Sequence, residues 1–278
     1  MKQYRTREGD VTAVDTKTQL TTVGSDTAPG PLMVPKGMKF VTAVIVSAIQ
    51  NMAAATSSST FIRIEGPGML GGPQTLAAHA GGNQVATGGN FGQRANTLPV
   101  TFEVVEGQEI QVFGEMAGTD IGLTSVVVTL VFSDTATAGS KPNKTITVEG
   151  DLPTVDARTA LTTQGSVASP SLVVPSGMTV IDKLIIAAAS EGLAAGSQSW
   201  FVRLGGNAVQ GGEQVIAVGT SGVILVQAGS DAAPQVVAPF ILEDVQIAVN
   251  AGDTISVWAE GAGTDTGTGR AVVTCVFA

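Results

Sequence analysis

The chain has 278 residues, of which 44% are apolar and only 13% charged, with a formal net charge of −9. That length suffices for two ordinary domains of about 100–150 residues, each able to bury its own core. The negative charge is spread along the chain and offers no basic face to phosphates, which excludes the usual means of reading nucleic acid.

The first ten residues, MKQYRTREGD, are polar throughout. They lack the apolar core of a signal peptide, and no stretch reaches the ~18 apolar residues of a membrane helix, so the expectation is synthesis in the host cytoplasm with no signal peptide or transmembrane helix. Lys2, Arg5 and Arg7 read as a small basic arm, a candidate contact with anionic lipid headgroups or a neighbouring subunit, or else disordered. Runs rich in Val, Ile, Phe and Thr then follow at 32–34, 40–48, 60–64, 74–77, 98–100, 102–105, 109–113 and 125–132, bounded by Gly, Pro, Asn, Asp and Ser. A helical turn is plausible only at 53–55 and 187–195. After TATAGSKPNK, a matching series of eight runs occupies 171–174, 180–189, 199–204, 214–218, 236–241, 245–249, 254–259 and 270–277.

The two series are copies. EGDVTAVDTKTQLTT at 8–22 returns as EGDLPTVDARTALTT at 149–163. Val34-Pro35-Lys36-Gly37-Met38 returns as Val174-Pro175-Ser176-Gly177-Met178, and Phe61-Ile62-Arg63 as Phe201-Val202-Arg203. Ala117-Gly118-Thr119-Asp120 returns as Ala262-Gly263-Thr264-Asp265. A spacing of about 140 residues lies far beyond the ~20–50 of solenoid repeats, so each copy is a folding unit and the pattern reads as a tandem duplication. The expected fold is all-β: two tandem eight-stranded jelly rolls (β-sandwiches), at 1–134 with the basic arm and at 145–278, joined by a linker at 135–144. The strand count of eight favours the jelly roll over an immunoglobulin-like sandwich of about seven strands.

The repeated VPxGM, long strand, F(I/V)R, GG, AGTD-x-G and VV-T-x-VF pattern, with scarce charge, resembles the double jelly-roll major capsid proteins of tailless icosahedral double-stranded DNA viruses, the lineage that includes adenovirus hexon and the membrane-containing bacterial and archaeal viruses. The resemblance runs from about Glu8 to Phe277, and the short loops point to a compact member. It implies a capsid subunit that assembles as pseudo-hexagonal homotrimers. The implied partners are penton or minor capsid proteins and an internal lipid membrane, and the implied location is the virion. Physically, three protomers of two similar units make a ring with six similar edges, which tiles by hexagonal packing.

Residues able to carry chemistry are few. His79 is the only histidine, so a His-rich cupin metal site cannot be assembled, and its Gly-rich setting reads as a solvated loop. Cys275 lies in an apolar run and reads as a buried strand cysteine. Glu103, Glu106, Glu109 and Glu115 are explained by alternating strand exposure more simply than by a glycosidase pair. The AGTD loops supply too few oxygens for calcium by themselves. No cofactor, no metal and no enzymatic activity are expected. Arg63 and Arg203 are the candidate interface residues: alternation sets Ile62 and Ile64, or Val202 and Leu204, on one face and each arginine with its phenylalanine on the other. There each arginine pairs with a carboxylate of a neighbouring domain or protomer, or is solvated with its stem over Phe61 or Phe201. The alternatives to a capsid subunit are a tandem jelly-roll carbohydrate-binding, lectin-like module and a non-viral surface-layer or filament subunit. Aromatic residues are only 4% of the chain, which leaves little for a sugar-stacking platform.

Overall fold

The computed structural model describes residues 1–21, 23, 31–51, 58–81, 90–92, 95–118, 124–152, 157–163, 169–190, 198–221, 236–237, 239–263 and 269–278. Among them there is no helix, and none is therefore long and apolar enough to cross a membrane. The first half forms β1 (Lys2–Val11), β2 (Thr18–Gln19), β3 (Leu32–Met33), β4 (Phe40–Asn51), β5 (Ser58–Glu65), β6 (Gln74–Gly81), β7 (Asn90–Gly92), β8 (Asn96–Glu103), β9 (Glu109–Gly118) and β10 (Thr124–Ser133). The second half forms β11 (Lys144–Asp151), β12 (Ala157–Thr163), β13 (Leu172–Val173), β14 (Val180–Ser190), β15 (Gln198–Gly205), β16 (Gln214–Ser221), β17 (Val236–Val237), β18 (Phe240–Leu242), β19 (Ile247–Ala248), β20 (Thr254–Gly263) and β21 (Gly269–Phe277).

All strand pairs are antiparallel, and the two halves share one strand order. In the first half, β1-β10-β4-β8 faces β2-β9-β5-β6, with β7 also on β4 and β3 on β9. In the second, β11-β21-β14 with β18 and β19 faces β12-β20-β15-β16, with β13 on β20, and a short pairing of β11 with β12 at Val148–Glu149 joins the two layers into one continuous sheet. This is the strand order of a jelly roll, in which the first strand lies beside the last. Period-two alternation builds each sandwich. Along β10, Val126, Val128, Leu130 and Phe132 turn inward and are buried, while Ser125, Val127 and Thr129 turn outward. Ile62, Ile64, Leu76 and Val112 fill the same core from the facing sheet. In the second half Val202, Leu204, Val257 and Ala259 meet Val273, Cys275 and Phe277.

The two rolls stack. The outer face of β6–β5–β9 packs on the outer face of β11–β21–β14, and Ile185, Ala187, Val272 and Val276 of the second half join the first half's apolar cluster. The contact is also hydrogen bonded. Thr145 N donates to Gln74 Oε1 at 2.7 Å, Thr147 N to Thr75 Oγ1 at 2.7 Å, and Ala77 N to Thr274 Oγ1 at 2.8 Å. Ser59 Oγ donates to Glu149 Oε2 at 3.1 Å, and the Glu149 carboxylate also accepts from Arg270, whose second amino group lies 2.7 Å from Asp151. Burial pulls the Arg270 guanidinium down to about 10, against the opposing charge of Asp15, so it stays cationic at neutral pH. Strand β17 adds to the edge of β6, pairing Val236 with Gly81 and Val237 with Ala80.

Several expectations are corrected. The segment holding Lys2, Arg5 and Arg7 is not an arm: it is strand β1, in unbroken register with β10 from Lys2↔Ser133 to Val11↔Thr124. Its polarity fits an edge strand that is hydrogen bonded along one side only. The EGD segments are likewise strands, β1 and β11, and the eight-strand count was reached with the wrong members. Runs 32–34 and 171–174 shrink to the two-residue β3 and β13, while 236–241 divides between β17, on the edge of β6, and β18, which with β19 from 245–249 lies on β14. Residues 187–190 continue β14, and the helical turn expected at 53–55 and 191–195 lies outside the described residues. Lys144, assigned to the linker, begins β11.

After β5 and after β15 the chain turns through Gly66 (φ +122°) and Gly206 (φ +113°). A Cβ there would sit 2.8 Å from the Glu109 carbonyl oxygen and 2.7 Å from that of Thr254. Backbone cannot yield as a side chain does. Gly206→Ala is therefore expected to lower stability by about 1–3 kcal/mol, measured by urea unfolding, with Gly211→Ala, where a Cβ meets nothing within 4 Å, costing less.

Candidate functional site

The repeated arginines lie where alternation places them, on the outer faces of β5 and β15. In the first half, register sets Phe61 opposite Glu115 and Arg63 opposite Phe113. The Arg63 guanidinium therefore reaches diagonally to Glu115, with Nε on one carboxylate oxygen and Nη2 3.4 Å from the other. Lys17 Nζ stands 4.4 Å from the Phe113 ring centroid and 2.5 Å from Glu65. In the second half, Phe201 lies opposite Glu260 and Arg203 opposite Trp258. Arg203 binds Glu260 at 2.6 Å and also Glu213, and these bonds, Glu213 first, hold its guanidinium above its ordinary value. Arg158 stacks 5.0 Å from the Trp258 ring centroid and lies 3.5 Å from Glu213.

Both arginines thus pair with carboxylates of their own sheet, Arg63 with Glu115 and Arg203 with Glu260 and Glu213. They differ in what covers them. Phe61 is fully buried and Glu115 is 2% exposed, because the second half lies on that face. Phe201, Arg203, Trp258 and Glu260 form the same constellation with no such cover among the described residues, and all four are half-buried. Sequence reasoning singled out the arginines and missed their carboxylates as partners. The signal was present: Glu115 and Glu260 each stand two residues ahead of a repeated Ala-Gly.

The other candidates lie apart from this face. Lys2 and Arg5 are exposed on β1, Arg5 bonding to Gln3 and to the Tyr4 carbonyl, and Arg7 donates to the Thr6 and Pro31 carbonyls. Glu106 accepts from Gly37 N at 2.9 Å and Glu109 from Gln111 at 2.8 Å, so these carboxylates are engaged locally. Asp120 and Asp265 of the AGTD loops lie outside the described residues. Among the described residues no group of three or more His, Cys, Asp and Glu is placed to hold a metal. Cys275 is fully buried in β21, and burial pushes its thiol up to about 12. A cleft of about 290 Å³ between the halves is lined by Thr101, Asn143, Asp182, Lys183 and Gln246. Its polar groups are engaged: Gln246 donates to Asp182, Lys183 donates to Glu243 outside the cleft lining, and Asn143 accepts from Thr101 N.

His79 is a correction. It is no solvated loop residue but a fully buried member of β6, opposite Thr60, and neither ring nitrogen has a partner among the described residues. Desolvation lowers its pKa to about 4.

No protein-family model matches the chain, and no curated protein matches its sequence. Among solved structures it is similar to a protein of an archaeal virus with a triple jelly-roll fold and turret assembly, at 12% identity and a TM-score of 0.25, over 89% of this chain and 53% of that one. This chain therefore spans about half the length of the viral protein. PNGase F, a glycosylasparaginase from Flavobacterium meningosepticum, matches at 12% identity and a TM-score of 0.32, over 98% and 96% of the two chains. A protein of infectious bursal disease virus, Gt strain, matches at 8% identity and a TM-score of 0.27, over 99% and 72%. Likeness this distant carries no functional argument, and the reading below rests on the chain's own residues.

Two outcomes follow from this geometry. Arg63→Met strands a buried carboxylate and is expected to destabilise the protein by about 3 kcal/mol in urea titrations, with Glu115→Gln in the same chain restoring part of the loss. Arg203→Met, whose carboxylates are solvated, is expected to cost clearly less. For His79, the folded and unfolded states are both neutral above pH 6.5. Between 6.5 and about 4 the unfolded chain binds the proton that the folded one excludes, so stability falls with pH by a total of about 3 kcal/mol. His79→Leu should remove that slope, leaving a smaller difference between denaturation midpoints at pH 7 and pH 4.5 than in the wild type.

Proposed function

We propose that this chain is a structural protein, the major capsid subunit of an icosahedral viral shell, whose copies associate as pseudo-hexagonal homotrimers. The observation that supports the reading is the face-to-face stacking of two jelly rolls within one chain. It leaves each outermost sheet with a broad outward face, centred on Val127, Thr129 and Ile45 in one and on Phe201, Ala217 and Trp258 in the other. Six such rolls in a trimer supply six similar edges, the geometry that hexagonal tiling needs. On this reading the chain's place is the virion. Its first partner is itself, penton or minor capsid proteins and an internal membrane are further partners, and no catalytic step is assigned to it. The open faces also bear on the lectin reading. Trp200 is buried and the Trp258 ring is covered by Arg158, so neither presents the bare ring that sugar stacking uses.

Light scattering on the purified full chain at micromolar concentration is expected to give trimers or larger assemblies, and electron microscopy a pseudo-hexagonal outline. A solution of monomers alone would defeat the capsid reading.

A further inference from the structure

The contact between the two rolls uses one face of each half. The counterpart faces, the outer face of β16–β15–β20 and the outer face of β1–β10–β4, have no cover among the described residues: Val215 is 50% exposed and Val127 39%. We infer that these two open faces bind each other between copies, so that β16–β15–β20 of one chain docks on β1–β10–β4 of the next in the register used within the chain. The inference rests on the assembly reading above in requiring that copies associate, and it names the surfaces and the partner, a second copy of this chain.

The warrant is that the open faces repeat the hydrogen-bonding groups of the closed contact position by position. On the receiving sheet, the within-chain contact uses the row Thr147, Thr274, Ile185, and the open sheet has Thr6, Thr129, Ile45 in the same register. Even the threonine pair recurs, with Thr147 Oγ1 2.9 Å from Thr274 Oγ1 and Thr6 Oγ1 2.9 Å from Thr129 Oγ1. The next row, Glu149, Val272, Ala187, has its counterpart in Glu8, Val127, Ser47.

On the docking sheet, Gln74 is anchored by Nε2 to the Gly72 carbonyl at 3.0 Å, and its Oε1 accepts from Thr145 N. Gln214 is anchored to the Gly212 carbonyl at the same 3.0 Å, which leaves its Oε1 aligned for Tyr4 N of a neighbour, the counterpart of Thr145 N. The strand pairs carry a register shift at the same place, between Thr60 and Phe61 and between Trp200 and Phe201. Ala77 N beside the first shift donates to Thr274 Oγ1, so Ala217 N beside the second is matched to Thr129 Oγ1. Ser199 takes the place of Ser59, whose hydroxyl binds Glu149, and so is matched to Glu8.

Two of the polar groups used in the closed contact are lost. Val215 replaces Thr75, removing one acceptor, and Ser125 replaces Arg270, removing the buried cation. The contact between copies is therefore more apolar than the one within the chain. It is also heterologous: each chain offers one face of each kind, which builds a ring where the rotation closes and a filament where it does not.

The test uses Val127→Arg, which blocks the receiving face, and Ala217→Arg, which blocks the docking face, in the full chain. Val215→Arg is the second choice should Ala217→Arg alter the thermal melt, and Leu70→Arg, at an exposed loop position, is the control. Each blocking variant alone is expected to run as a monomer under conditions where the wild type and the control assemble. An equimolar mixture of the two is expected to give a species of two chains and no larger, because each variant keeps the face the other has lost. Assembly that survives both variants would overturn the inference and leave the capsid reading standing on other surfaces. Loss of assembly in only one variant, with no rescue on mixing, would also overturn it. Two-chain rescue from a protein whose wild type forms filaments and not trimers would support the surfaces and defeat the closed shell. A wild type that remains monomeric defeats both.

Discussion

The contact between the β6–β5–β9 face and the β11–β21–β14 face constrains everything else in the molecule. It covers β6 and β11 where the short pairings with β17 and β12 leave their outer sides open, and such stretches carry backbone donors that their own sheet does not satisfy. Buried N–H groups left without acceptors would cost as much as lost hydrogen bonds. The chain meets them across the interface with side-chain oxygens: Gln74 for Thr145 N, Thr75 for Thr147 N, Thr274 for Ala77 N. Threonine suits this work because it keeps strand propensity while presenting a hydroxyl. Strand β17 finishes the task by pairing with the outer edge of β6.

Stacking also decides the electrostatics. The Arg63–Glu115 and Arg203–Glu260 pairs have one geometry, but the first is held under a roll and the second faces outward. Burial raises the cost of breaking a pair far more than the benefit of having one. The first pair is thus a structural commitment, and the second is a surface feature open to a partner. His79 and Arg270 illustrate the same point, since their shifts come from desolvation, which the sequence around them does not encode.

Much of the fold was legible in the sequence because β-structure announces itself by local pattern. The inward Ile62 and Ile64 against the outward Phe61 and Arg63 followed from alternation alone, and the turns at Gly37 and Gly177, both at φ +80°, sit where the repeated VPxGM placed them. Strand β1 was misread because an edge strand tolerates KQYRTREGDV, a run that looks like a solvated arm until its partner β10 is known. His79 was misread for the opposite reason: glycine-rich surroundings suggested a loop, while the segment is the one that the second roll covers. The burial difference between Phe61 and Phe201 was illegible in principle. Their local sequences are near copies, and only the neighbouring sheet distinguishes them.

The substitutions between the two versions of the contact run in a physically coherent direction. A contact between halves of one chain forms at high effective concentration, so it tolerates the desolvation of Arg270 and Glu149. A contact between separate copies must in addition offset roughly 4–15 kcal/mol of lost translational and rotational freedom. Buried ions are a poor means of meeting that demand, and apolar area is a better one. At the corresponding positions the open faces carry Val215 for Thr75, Tyr4 for Thr145, Trp258 for Phe113 and Ser125 for Arg270. Apolar or aromatic area is gained at three of these positions, and a charge that would need burying is dropped at the fourth.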